Sequence, residues 1–96
     1  MSTWFVTISA LRRFAKDAKQ AEAKLNEANE TMKSAAAELC SNWQGDAATA
    51  FSEEQNKVHG WVTDVIRIGS YYISTVLKAA ETYEQKEQEL SGKVSG

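Results

Sequence analysis

Apolar residues in the first half of the chain recur in two interleaved heptad series. Leu11, Ala18, Leu25, Met32 and Leu39 are each seven apart, and Phe14, Ala21, Ala28 and Ala35 form a second series three residues on. Spacing of this kind, kept over four heptads, marks one stripe of an α-helix. Arg12, Arg13, Lys16, Lys19, Lys24, Glu27, Glu30 and Lys33 fill most of the positions between. The pattern predicts a helix over about residues 8–41, roughly 50 Å long at 1.5 Å per residue. Its seam is narrow and rich in alanine, which lets a neighbouring helix approach closely.

The periodicity stops at Ser41-Asn42-Trp43-Gln44-Gly45-Asp46, where turn-forming residues cluster. Gly45 suits the positive φ that ends a helix, and Asp46 is the candidate N-cap of the next one. From about 46 to 90 a second helix carries Val62, Gly69, Val76, Tyr83 and Leu90, with Val58, Val65, Tyr72 and Ala79 interleaved and Phe51 opening the stripe. Ile66, Ile73 and Ala80 widen the stripe, and Trp61, Ile68 and Leu77 add to it. Gly60 and Gly69 lie inside this helix at about 1 kcal/mol each relative to alanine, which points to close packing or a mild kink at Gly60 in preference to a break into two helices. Residues 91–96 are small and polar and read as a frayed tail.

Two long helices joined by a short connection form an antiparallel hairpin. The second helix has more apolar width than the first can cover, with Ile66, Ile73 and Ala80 in surplus, and an uncovered patch of that kind marks an interaction surface. A small chain with an incomplete core is completed by oligomerisation. The expected fold is therefore all-α: one domain, an antiparallel two-helix hairpin dimerising into a four-helix bundle. The expected dimer face is Val58, Val62, Val65, Ile66, Tyr72, Ile73 and Val76.

Composition supports helices and excludes several function classes. The 96 residues contain no proline, 43 % are apolar and 25 % charged, and the net charge is −2. That balance gives no pull toward nucleic acid or anionic lipid. The start of the chain lacks the basic and apolar regions of a signal peptide, and no apolar run reaches the roughly 20 residues of a membrane span. These rules alone point to the cytoplasm. The single cysteine, Cys40, makes no internal disulfide and reads as a small buried apolar residue. A Cys40–His59 dyad needs hydrogen-bond contact, yet His59 lies about 14 residues beyond the turn, roughly 20 Å along its helix. With one histidine and no glycine-rich phosphate loop, no catalytic, cofactor-binding or metal site is predicted.

The segment Trp43-Gln44-Gly45-Asp46-Ala47-Ala48-Thr49-Ala50-Phe51 resembles the central signature of the WXG family of ESAT-like proteins: a Trp-x-Gly turn, small residues, and a Phe one turn into the second helix. Its place at mid-chain between two heptad helices gives the short motif its weight. The second family element, Tyr-x-x-x-Asp/Glu, corresponds to Tyr83-Glu84-Gln85-Lys86-Glu87. The resemblance covers essentially the whole chain. It implies a leaderless substrate of a type VII secretion system, whose ATPase is then a partner, together with a second copy or a related WXG-type protein. It also implies a composite export signal, in which Trp43 and Gly45 of one protomer lie beside Tyr83 and Glu87 of the other. That implication overturns the cytoplasmic reading. In a hairpin where residue i faces roughly residue 87 minus i, Tyr83 lies level with about Trp4, and the overhanging second helix of one protomer meets the turn of its partner. A self-complementary face and near-zero charge favour a homodimer over a heterodimer.

Plainer roles stand beside these. Trp43 plugs the hairpin tip, Tyr83 packs on the seam with its hydroxyl at the surface, and Glu87 sits on a solvated face. Glu81, Glu84, Glu87 and Glu89 crowd a helix C-terminus and Arg12, Arg13 and Lys16 a helix start, each charge opposing the helix dipole by a few tenths of a kcal/mol. Of the acidic group only Glu81 is expected to reach the basic one. Trp4, Phe5 and Val6 are expected to pack near Tyr83, with membrane contact the weaker reading. The functional alternatives are an intracellular adaptor that docks a partner helix and, less favoured, membrane disruption after export.

Overall fold

A computed structural model describes the backbone of residues 2–95 and the side chains of residues 7–91. Two helices make up the fold: α1, Ser2–Ser41, and α2, Asp46–Ser95, joined by residues 42–45. The chain is all-α, and the two helices pack as a hairpin. Abundant alanine, glutamate, lysine and glutamine and the absence of proline leave the helical hydrogen-bond ladder uninterrupted.

Both helices run beyond their amphipathic stripes. α1 begins at Ser2, where the periodicity predicts a start near residue 8, and α2 continues through Ser95, where composition predicts a frayed tail. Heptad spacing marks only the part of a helix that packs. Adding residues to an existing helix is far easier than nucleating one, and nothing stronger than Gly92 opposes it. The earlier start moves Arg12 and Arg13 out of the first turn, so they do not oppose the helix dipole there. Trp4, Phe5 and Val6 belong to α1 by their backbone; their expected packing near Tyr83 lies outside the described residues.

Local hydrogen bonds close the turn. Asn42 N donates to Leu39 O (3.2 Å) and Trp43 N to Cys40 O (3.4 Å), ending α1. Gly45 has φ +107°, a conformation costly for other residues. Its carbonyl accepts the first bond of α2, from Thr49 N at 3.1 Å, and a second from Thr49 Oγ1 at 3.3 Å. Gly45 is thus the N-cap, and Asp46, expected there, is instead the first helical residue, where its charge favours the helix dipole.

The chain forms two compact units. In the unit of Met1–Gln20 and Ser70–Gly96, Ile8, Ala15, Ile73 and Ala80 are buried and Leu11, Val76 and Leu77 half-buried. Phe14 meets Tyr72 edge to face, with ring centres 6.0 Å apart. Arg12 Nη2 bonds Glu84 Oε1 at 3.0 Å. The expectation that only Glu81 reaches the basic group is therefore corrected. With α1 extending back to Ser2, Glu84 lies alongside α1 and not beyond its end.

In the unit of Ala21–Gly69, Asn29, Ala36 and Ala48 are buried, with Phe51, Gln55, His59, Val62 and Ile66 half-buried around them. The α1 seam here is not the predicted Leu25, Met32 and Leu39 row, which is 41, 55 and 50 % exposed. The buried row contains Asn29 and Ala36. Small side chains there let the helix backbones approach, and the larger residues are left to the sides. On α2 the inward positions include Val62 and Ile66, whereas Val58 and Val65 are exposed.

Gly60 and Gly69 both lie within unbroken α2. A Cβ on Gly69 would stand 3.2 Å from Glu22 Oε2, whereas one on Gly60 would meet nothing within 4 Å. Gly60 therefore lowers helix propensity without a packing return. Gly60→Ala is expected to stabilise the protein by about 1 kcal/mol, raising the thermal midpoint by roughly 4–8 °C. Thermal melts followed by circular dichroism check this.

Candidate functional site

The turn presents Trp43 at the end of α1. The chain reverses at Gly45, and Phe51, less than two turns into α2, comes under the indole with ring centres 5.8 Å apart and planes at 46°. Trp43 keeps 36 % of its surface exposed. Together with Cys40, Ala48, Thr49, Ser52 and Glu53 it lines a shallow groove of about 250 Å³. Both readings of Trp43 thus have a physical basis: its ring packs on Phe51, and part of it remains available to a partner. Cys40 is a free, half-buried thiol in this groove.

Tyr83 and Glu87 continue the two inward rows of α2. Tyr83 is 39 % exposed and Glu87 half-buried. They are four apart and so neighbours on one helix face. Trp43 and Gly45 belong to one compact unit, Tyr83 and Glu87 to the other.

The residues read as a dimer face fall into two sets. Val58, Val65 and Tyr72 are exposed at 45, 41 and 59 %. Ile73 is buried at 4 %, and Val62, Ile66 and Val76 are half-buried, so these four contribute to packing within the hairpin. Sequence reasoning also missed that a heptad row of α1 is left exposed. Leu25, Met32 and Leu39 are visible as a heptad row, but periodicity does not say which way a row points.

It also missed a polar cluster across the seam. Asn29, only 5 % exposed, donates from Nδ2 to His59 O (3.3 Å) and Thr63 Oγ1 (3.4 Å). Thr63 Oγ1 donates to His59 O at 2.8 Å. His59 Nε2 lies 2.6 Å from Glu30 Oε2, and since a carboxylate only accepts, the imidazole N–H donates. That bond lowers the Glu30 carboxyl from its ordinary pKa; desolvation works against it, and lesser electrostatic attraction from His59 and Lys33 adds to the lowering. His59 is thus engaged by Glu30, and Cys40 lies in the groove at the turn. Among the described residues no three potential metal ligands converge, and no helix is long and apolar enough to cross a membrane.

A family model described as "Proteins of 100 residues with WXG" matches residues 5–88. No curated protein and no solved structure matches the chain significantly.

The Glu30–His59 bond has a pH signature. A carboxyl whose pKa is lowered by folding adds stability above its unfolded value, about 4.3, and loses it as pH falls through the lower folded value. The thermal midpoint is expected to drop on acidification from about pH 5 to pH 3, and Glu30→Gln to remove part of that drop. Melts of both proteins across this range make the comparison.

Proposed function

The chain belongs to the WXG100 family, and from that membership we propose that it is exported as a folded dimer by a type VII secretion system and acts outside the cell as an effector or as the secretion partner of another substrate. The family is known for small helical proteins secreted by this route, its members are non-enzymatic, and they typically pair with one another. The observation that carries the proposal is the turn: an indole packed on Phe51 yet partly exposed, at a reversal that depends on Gly45. Tyr83 and Glu87, four apart on α2, supply the second part of the signal. In the dimer, Trp43 of one protomer lies beside Tyr83 and Glu87 of its partner, the two hairpins together form a four-helix bundle, and the secretion ATPase reads the composite. The exposed residues Val58, Val65 and Tyr72 belong to the face between protomers.

In a type VII-competent bacterium the tagged protein is expected in the medium only when the secretion ATPase is present. Trp43→Ala and Glu87→Ala are each expected to reduce the secreted fraction at least tenfold while the purified variants keep their helical circular dichroism. Immunoblots of cells and medium read the outcome. Retention of the unaltered protein inside the cell, with or without the ATPase, would favour an intracellular adaptor.

A further inference from the structure

In the unit of Ala21–Gly69 the hairpin is partly inside out. Its seam holds Asn29, Gln55 and His59, and the Gln55 Nε2 is buried without a hydrogen-bond partner. Its exterior holds Leu25, Met32, Leu39, Val58, Trp61 and Val65, each at least 41 % exposed. These exterior residues share one side. At about 100° per residue, Leu25, Met32 and Leu39 stand roughly 40–80° from Asn29 in one sense of rotation. Val58 and Val65 stand about a quarter-turn from the inward row of Val62 and Ile66 in the same sense. Because the helices are antiparallel, equal senses about their own axes carry both stripes to one face of the hairpin. Phe14 and Tyr72, from the same two stripes, make ring contact within the other unit.

What keeps the leucine row out of the seam is the polar cluster. Rolling α1 by some 40–60° would bring Leu25 and Met32 toward α2, and it would break the Asn29 bonds to His59 O and Thr63 Oγ1 and the Glu30–His59 bond together. A polar residue at a seam position sets helix phase at some expense of stability.

We infer that the Asn29–Thr63–His59–Glu30 cluster holds α1 at the rotation that turns Leu25, Met32 and Leu39 outward beside Val58 and Val65, and that a second copy of this chain covers the face so formed. The inference rests on the dimer proposed above and specifies its surface and what maintains it. The face suits its own copy. Its α1 half alternates large Leu25, Met32 and Leu39 with small Ala21, Ala28 and Ala35, whereas its α2 half offers large Val58, Trp61, Val65 and Ile68. A two-fold axis sets the bulky side chains of α2 from each protomer against the alanine gaps of α1 from the other, so the same complementary contact is made twice. Both signs of charge flank each half, Lys24 and Glu27 on α1 and Glu54 and Lys57 on α2. Self-association therefore brings no like-charge barrier.

Sedimentation equilibrium of the purified chain tests the inference, with thiol labelling of a Met32→Cys probe in a Cys40→Ser background. The unaltered chain is expected to be dimeric, and Met32→Glu to weaken the dimer about 100-fold. The Met32→Cys thiol should be protected in the dimer and react freely on dilution. Asn29→Leu is expected to weaken the dimer at least tenfold, keep its helical circular dichroism, and slow labelling of the same thiol in the dilute monomer as α1 rolls inward. If Asn29→Leu fails to fold, Asn29→Ala is expected to show the same changes at smaller size. A dimer that withstands Met32→Glu, or Asn29 variants that change neither affinity nor labelling, would overturn the inference while leaving the dimer intact. A chain that stays monomeric to about 100 μM would remove the dimer itself, and the face would belong to a different partner.

Discussion

The close approach of two antiparallel helices through small side chains governs the rest of this structure. Ala15 and Ala80 are almost fully buried in one unit, and Ala36 and Ala48 in the other. Small and polar residues fill that seam, and Leu25, Met32 and Leu39 lie outside it. Burying a side chain of that size contributes about 1.5–3 kcal/mol. An isolated hairpin forgoes that contribution at Leu25, Met32, Leu39, Val58 and Val65. Those side chains stay partly exposed because the seam is filled by smaller ones.

The two units use their seams differently. Near the chain ends Ile8 and Ile73 are buried, the rings of Phe14 and Tyr72 meet, and Arg12 binds Glu84. That exposed ion pair adds little stability in water, while the apolar contacts add more. In the unit next to the turn, polar residues occupy the corresponding rows. Hydrogen bonds there are directional, so they resist rotation and sliding better than an apolar seam, which tolerates both. A polar seam of this kind gives a defined helix phase at some expense of stability.

The turn is the other fixed feature of the chain. Gly45 supplies a backbone conformation that places Asp46 in the first turn of α2 and Phe51 beneath Trp43. An indole fixed on one side and open on the other is a rigid feature for a partner to read, with little side-chain entropy left to lose on binding. Tyr83 and Glu87 are likewise held on a helix, the first exposed and the second half-buried.

Much of the fold was legible in the residues themselves. The heptads named two helices, the cluster at Ser41–Asp46 located the break, and the motifs at Trp43–Gly45 and Tyr83–Glu87 pointed to the family. The helix ends were less legible, because residues beyond the packed stripe carry no periodic signal and yet extend a helix at little cost. The seam was the least legible. Leu25, Met32 and Leu39 form a row as regular as any core, but a heptad row states only that its members share a side. Asn29 gives no sign in the sequence that it will be buried, since its place depends on carbonyl and hydroxyl acceptors on a helix 30 residues away. By itself the sequence determined two helices, one glycine-dependent turn and two motifs, because these depend on local periodicity and backbone chemistry. Only the tertiary structure decided which stripe faces inward, because that choice depends on how closely two helices approach and which polar groups meet between them.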